Sequence, residues 1–215
     1  MADTVSTRYK RRAESLGALI EMIYALVSAN PGNHLIFFPS YQYMNMAYKA
    51  FSIAYPEIEL VLQAPGMTEA EREEFLARFS DDEPARSPLV GFVVMGGIFG
   101  EGIDLEGKRL TGAVIVGVGL PGISLENELI RAYFNLLDGT GFEFAYLYPG
   151  ITRVLQAAGR VIRSETDKGA VLLMDERYAT ARYRRLLPAH WRPIRIKWQN
   201  DITQTLAAFW TGAVE

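Results

Sequence analysis

The 215-residue chain has no cysteine and only two histidines, His34 and His190. Without cysteine it can form no disulfide scaffold, thiol nucleophile, zinc ribbon or iron–sulfur ligation of its own. His34 stands in a turn before an apolar run and His190 beside Trp191, so both are expected to be structural. No nucleophile–base pair suggests a hydrolase triad, and no ligand set suggests a metal site. Long apolar runs are also missing. Met22 to Tyr48 carries no formal charge, but Asn30-Pro31-Gly32-Asn33 and Pro39-Ser40 break it before the ~20 residues that a membrane span needs. Met1 to Arg12 is polar and basic, with none of the apolar centre of a secretory signal. The expectation is a soluble, cytoplasmic protein with no membrane partner. A net charge of −3 does not suggest a bulk nucleic-acid binder.

What is present is ordinary globular composition, 49% hydrophobic and 22% charged, which excludes disordered, collagen-like and coiled-coil chains. At ~100–200 residues per domain, the length fits one large domain. Charge is unevenly placed. Glu57 to Glu106 holds 12 acidic residues against 3 arginines, a net of −9, while Arg177 to Asn200 holds seven basic residues and no acidic one. The basic stretch is either a solvated face or an edge turned towards a polyanion or partner.

Periodicity predicts helices over Thr7–Ala29, Tyr41–Ile53, Ser124–Asp138, Ile151–Arg163 and Asp201–Trp210. A short acidic helix to Phe79 opens on the capping box Thr68-Glu69-Ala70-Glu71, and a basic one reaches Leu187. Between them, apolar runs at Leu35–Phe38, Ile58–Leu62, Leu89–Met95, Ala113–Val118 and Ala170–Met174 read as strands, with a polar loop at Asp81–Pro88. Continuously apolar strands alternating with helices predict an α/β fold: a mainly parallel sheet with helices on both faces. Ligands of such sheets bind beyond the carboxyl ends of the strands, where three segments are expected to lie.

The first segment, Gly96-Gly97-Ile98-Phe99-Gly100-Glu101-Gly102-Ile103-Asp104, is glycine-rich and allows close backbone approach; Asp104 could accept hydrogen bonds from a ribose. A phosphate-loop spacing from Gly102 to Gly107-Lys108 overlaps it and fails. Position 109 is Arg, without the magnesium-binding hydroxyl, and a strand rather than a helix follows. The second, Gly117-Val118-Gly119-Leu120-Pro121-Gly122, fits the dinucleotide pattern, but its candidate ribose acid, Asp138, ends a helix instead of a strand. A dinucleotide-dependent oxidoreductase using Gly117, Gly119 and Gly122 is therefore the rival reading. The third is Gln156-Ala157-Ala158-Gly159-Arg160-Val161-Ile162-Arg163. On a helix, Arg160 lies about 40° and Arg163 about 20° round the axis from Gln156. An amide and two guanidiniums on one stripe suit a polyphosphate. Val154, Ala158, Val161 and Ile162 would face the sheet.

Taken in order, Asn33-His34-Leu35-Ile36-Phe37-Phe38-Pro39-Ser40-Tyr41, Phe99-Gly100-Glu101-Gly102-Ile103-Asp104 and Gln156–Arg163 resemble motifs IV, V and VI of superfamily 2 DNA helicases of the DinG and XPD type. Motif VI has the pattern Q-x-x-G-R-x-x-R and runs here into Ser164-Glu165-Thr166-Asp167-Lys168-Gly169. The resemblance extends from about Ser6-Thr7-Arg8-Tyr9 to Asp175-Glu176-Arg177-Tyr178. It implies that residues 1–215 form a single domain, the second, C-terminal RecA-like motor domain of such a helicase. This is a P-loop NTPase-type fold without its own P-loop. ATP with Mg2+ would sit between it and an N-terminal RecA-like domain of the same polypeptide, which carries the phosphate loop, the acidic magnesium box and any iron–sulfur cluster. Arg160 and Arg163 would be arginine fingers. Gln156 would couple the γ-phosphate to closure, and Gly102 and Asp104 would lie near the ribose. Ser40, Tyr41 and the loop around Gly97 would track single-stranded DNA. A non-enzymatic interaction domain of the same fold is the remaining alternative.

Overall fold

Five apolar runs form strands: β1 (His34–Phe38), β2 (Glu59–Leu62), β3 (Leu89–Val94), β4 (Gly112–Val116) and β5 (Ala170–Met174). The helices are α1 (Leu16–Ala29), α2 (Tyr41–Ala54), α3 (Glu69–Ala77), α4 (Leu125–Leu137), α5 (Tyr148–Ala158), α6 (Ala181–Arg184) and α7 (Gln199–Trp210). These assignments come from a computed structural model that describes residues 1–30, 32–79, 88–99, 105, 109–162 and 167–212. The strands pair in the order β2-β3-β1-β4-β5, and every pair is parallel.

Alternate strand residues serve two cores. Ile36, Phe38, Phe92, Val114 and Met174 pack under α1, α2 and α7. Leu35, Phe37, Val93, Ile115 and Leu173 pack under α3, α5 and α6. Burial on both faces explains why the strands lack polar alternation. The chain steps from β1 out to β2, and every later connection steps back the other way. Crossovers of constant hand then put α2 opposite α3 and α5, as observed.

Several predicted helices are shorter than their periodicity. The first begins at Leu16 because residues before it are spent along β5. Ala2 N–H donates to the Leu173 carbonyl at 2.8 Å and Asp175 N–H to the Ala2 carbonyl at 3.1 Å. Ser15 Oγ then closes on the Ser6 carbonyl at 2.6 Å. The capping box holds, with Glu71 Oε2 accepting from Thr68 N–H at 2.7 Å, and α3 stops at Ala77. The basic segment is not one helix: a 3-10 turn at Glu176–Ala179 precedes α6, and extended Thr180 separates them. The expected loop at Asp81–Pro88 lies outside the described residues except for Pro88. Ser124 caps α4, none of whose residues is buried. No described helix is long and apolar enough to cross a membrane.

At the amino ends of the strands, one polar knot joins four elements. Trp210 Nε1 donates to Asn30 Oδ1 at 2.8 Å, which turns Asn30 Nδ2 towards the Thr111 carbonyl and His34 Nε2, each at 3.1 Å. His34 Nε2 must then accept, so the ring is neutral. Burial, opposed by the Asn30 carbonyl, pushes its pKa down to about 3. The unfolded imidazole takes a proton near its ordinary value of about 6.5, whereas the folded one does not until much lower pH. The resulting stability is complete above pH 6.5 and is lost as pH falls towards the folded value, at up to about 1.4 kcal/mol per pH unit. His34→Gln is therefore expected to show a shallower fall in unfolding free energy between pH 6 and 4 than the wild type in urea titrations. Equal slopes would remove His34 from the acid sensitivity.

Candidate functional site

The two ends of the sheet carry different chemistry. At the carboxyl ends, Phe38 runs through Pro39 into Ser40, whose Oγ caps α2 by accepting from Tyr43 N–H at 3.4 Å. The next residue, Tyr41, accepts at its hydroxyl from Gln63 Nε2 at 2.9 Å. Gln63 directly follows β2 and is 2% exposed; its Oε1 accepts from Val94 N–H at 2.7 Å. Gly97 lies in the turn after β3, with a Cβ position 3.5 Å from Gln63 Nε2. Gly96 before it has φ +71°, and a Cβ there would sit 2.9 Å from Arg153 Nε. Thus Ser40, Tyr41 and Gly97 share the carboxyl edge; Gln63 bonds Tyr41 beside Gly97 and Arg153 stands against Gly96, two residues that the motifs did not single out. A polar residue closing the apolar stretch Leu60-Val61-Leu62 is the signal that could have found Gln63.

The same edge is braced beside β5. Asp175 is fully buried and accepts from the Thr7 hydroxyl, from Arg177 Nε at 2.6 Å and from Arg177 Nη2 at 2.9 Å. Burial works against its charge, but the hydrogen bonds and charge of Arg177 outweigh it and hold the carboxyl below its usual range. Arg12 lies over the Tyr43 ring at 4.5 Å, adding a cationic face.

The third segment lies at the opposite end, which corrects the expectation that all three sit at the carboxyl ends. A parallel sheet requires the segment between β4 and β5 to return, so α5 runs back and finishes where β4 and β5 begin. Val161 is buried there: a Cβ on Gly169 would lie 2.3 Å from Val161 Cγ1 and 2.7 Å from the Thr111 carbonyl. The helix also stops at Ala158 instead of reaching Arg163. Gly159 N–H still bonds the Leu155 carbonyl, but Arg160 and Val161 bond carbonyls only three residues back, at 3.3 and 3.2 Å. The single polar stripe assumed for Gln156, Arg160 and Arg163 therefore does not continue past Gln156. Ile162, expected against the sheet, is 45% exposed. Gln156 is exposed on the last turn of α5, and Arg160 is half-buried in the turn that follows. Arg163, Gly102 and Asp104 lie outside the described residues. Among the described residues no three His, Asp or Glu side chains converge as a cation site.

The dinucleotide rival fares poorly on geometry. Gly119 has φ +67°, and a Cβ there would lie 2.3 Å from the Gly150 carbonyl oxygen at the start of α5. Its missing side chain admits a neighbouring helix, in place of the pyrophosphate that the rival needs there.

Residues 23–194 match the helicase C-terminal domain family. The chain is 28% identical over 208 residues to regulator of telomere elongation helicase 1 of Bos taurus, covering 88% of this chain and 17% of that protein. It is 29% identical over 155 residues to the ATP-dependent DNA helicase DinG of Photobacterium profundum, covering 71% and 22% respectively. A solved XPD helicase shares the fold with a TM-score of 0.73 at 21% identity, over 91% of this chain and 34% of that one. The chain spans about a fifth of the length of these curated relatives. Matched through most of its sheet and through the segment bearing Gln156 and Arg160, the chain belongs to the helicase C-terminal domain family, and its fold is RecA-like.

Proposed function

We propose that residues 1–215 act as the second motor domain of an ATP-dependent DNA helicase, one face meeting ATP held by a partner motor domain and one edge gripping single-stranded DNA. The observation that carries this reading is the separation just described: Gln156 and Arg160 at the amino ends of the strands, and Ser40, Tyr41 and Gly97 at the carboxyl ends. A motor needs nucleotide and strand held apart on one rigid body, so that closure at one moves the other.

In this reading Arg160, with Arg163, reaches the γ-phosphate and stabilises charge on the transferring phosphoryl group. Gln156 senses that phosphate, and Gly102 and Asp104 border the ribose. Arginine suits the task because its forked donors stay charged at any working pH. The partner domain, of the same polypeptide, would bring the phosphate loop and the magnesium ligands. Any iron–sulfur cluster belongs there too, since this chain has no cysteine. The relatives include ATP-dependent DNA helicases, which supports the substrate class.

The purified chain is accordingly expected to hydrolyse ATP at background rate in a phosphate-release assay, with or without oligonucleotide. Turnover that Arg160→Ala abolishes would overturn the half-site reading. When the chain is joined to a phosphate-loop motor domain, Arg160→Ala is expected to lower kcat for ATP by ~10³ and leave DNA affinity within about twofold. Equal loss of both would assign Arg160 to folding. NADH should show no saturable micromolar binding in a fluorescence titration; saturation would revive the dinucleotide reading.

A further inference from the structure

A helix on a protein surface turns its apolar stripe inward and its polar side to water. α4 does the reverse. Its polar side chains meet the segment 141–147 that leads into α5. Glu128 Oε1 accepts from the Tyr146 hydroxyl at 2.5 Å, and Asn135 Oδ1 accepts from Gly141 N–H at 3.0 Å. Gly141 approaches so closely that a Cβ on it would lie 2.1 Å from the Arg131 carbonyl oxygen. Phe134 adds one ring to this side, stacked on Phe144 with centroids 4.1 Å apart. Among the described residues, that segment is the main neighbour of α4.

The apolar residues are left outside. Leu125 is 74%, Leu129 61%, Tyr133 59% and Leu136 89% exposed, and Ile123, just before the cap Ser124, is 87% exposed. Ala132 between them is exposed as well. Together they present on the order of 700 Å2 of apolar surface. That exceeds the ~300–600 Å2 patch of a typical monomer and approaches the ~800 Å2 that each partner of a stable complex buries.

The spacing of these residues says what fits them. Leu125, Leu129, Ala132 and Leu136 stand at steps of four, three and four, the repeat of a seam that meets another helix. The seam also complements itself. Against a second α4 running antiparallel, Leu125 meets the partner's Leu136 and Leu129 meets the partner's Ala132, so large faces small at the middle. A parallel pairing would set Ala132 on its own copy and leave a gap there, which close packing disfavours. The antiparallel arrangement also sets the two helix dipoles against each other favourably.

We propose that the outer face of α4 is the contact of a two-fold dimer, covered by the same face of a second copy of this chain with the two helices antiparallel. The inference stands apart from the motor reading, and its failure would leave that reading as it is.

The test is the mass of the 215-residue chain by sedimentation equilibrium over a range of concentrations, with thermal unfolding as the control for folding. The wild type is expected to approach twice the mass of one chain at high concentration and to dissociate on dilution. Leu129→Arg and Leu136→Arg should each weaken association by ~100-fold, because an unpaired charge would be buried at the seam. Both side chains are exposed in the single chain, so neither variant should unfold at a lower temperature than a dilute, dissociated wild type. Gln204→Arg, which adds the same charge to an exposed position of α7, should leave the dimer intact. Because the chain has no cysteine, single cysteines report the arrangement. Leu125→Cys mixed with Leu136→Cys should oxidise to a mixed disulfide dimer faster than either variant alone. Wild-type chain that stays monomeric throughout would overturn the proposal. So would a dimer that survives both arginine variants, since another face would then hold it, and so would faster crosslinking of each cysteine variant to itself, which means a parallel pair.

Discussion

β1 is hydrogen-bonded to β3 on one side and to β4 on the other, and all five of its residues are buried. A parallel ladder can be completed only by returning the chain outside the sheet, and the returning helices cover both faces. With its faces taken by packing, a sheet of this kind has only its two ends left for polar chemistry. The separation of Gln156 and Arg160 from Ser40, Tyr41 and Gly97 follows from that constraint. Residues just after a strand and residues at the end of a returning helix must emerge at opposite ends.

Each end is held by buried polar groups whose partners come from distant parts of the chain. At the amino end, Asn30 ties α1, β1, the approach to β4 and α7 through His34, Thr111 and Trp210. At the carboxyl end, Asp175 ties β5 to Thr7 and Arg177. Buried polar groups are costly unless every partner is in place, so such knots fix register more sharply than apolar contact does. They also predict acid sensitivity in a core with few ionisable groups, because His34 is held neutral and Asp175 charged. Stability in both cases falls as pH falls, the first below the ordinary histidine range and the second as the carboxylate is protonated.

Strand positions were legible in the sequence because a strand buried on both faces announces itself as an unbroken apolar run; Leu35–Phe38 and Ala170–Met174 are examples. The capping pair Thr68 and Glu71 was equally plain, since both residues lie within one turn. Helix ends were less legible. The first helix was read from Thr7 because its periodicity runs on, yet Thr7 is claimed by Asp175, 168 residues away. The motif helix was read to Arg163, yet Gly159 caps α5 and the turn tightens before Arg160. The end of the sheet at which that segment emerges was misread for a related reason. The carboxyl-end rule applies to loops that follow strands, and Gln156 and Arg160 come instead at the end of a returning helix. Gln63 and Arg153 escaped notice because their roles depend on which atoms meet across β2, β3 and α5, and no local pattern encodes that.

The link between the two ends is α5 itself. It begins against Gly119 at the carboxyl side, carries Arg153 to the Gly96 turn, and ends one residue before the turn that holds Arg160. Eleven residues of helix span roughly 16 Å, a length that covers much of the sheet from one end to the other. Its inner residues, Ile151, Val154, Ala157 and Ala158, are all buried in the core shared with β1, β3, β4 and β5. A helix so packed moves as one piece or not at all, because close-packed interiors transmit displacement instead of absorbing it. A displacement of the end of α5 would therefore be felt at Gly96, against which Arg153 stands. If the chain acts as the proposed motor domain, the residues that make it fold would also serve as its lever. The small side chains Ala157 and Ala158, both buried, let α5 lie close on the sheet.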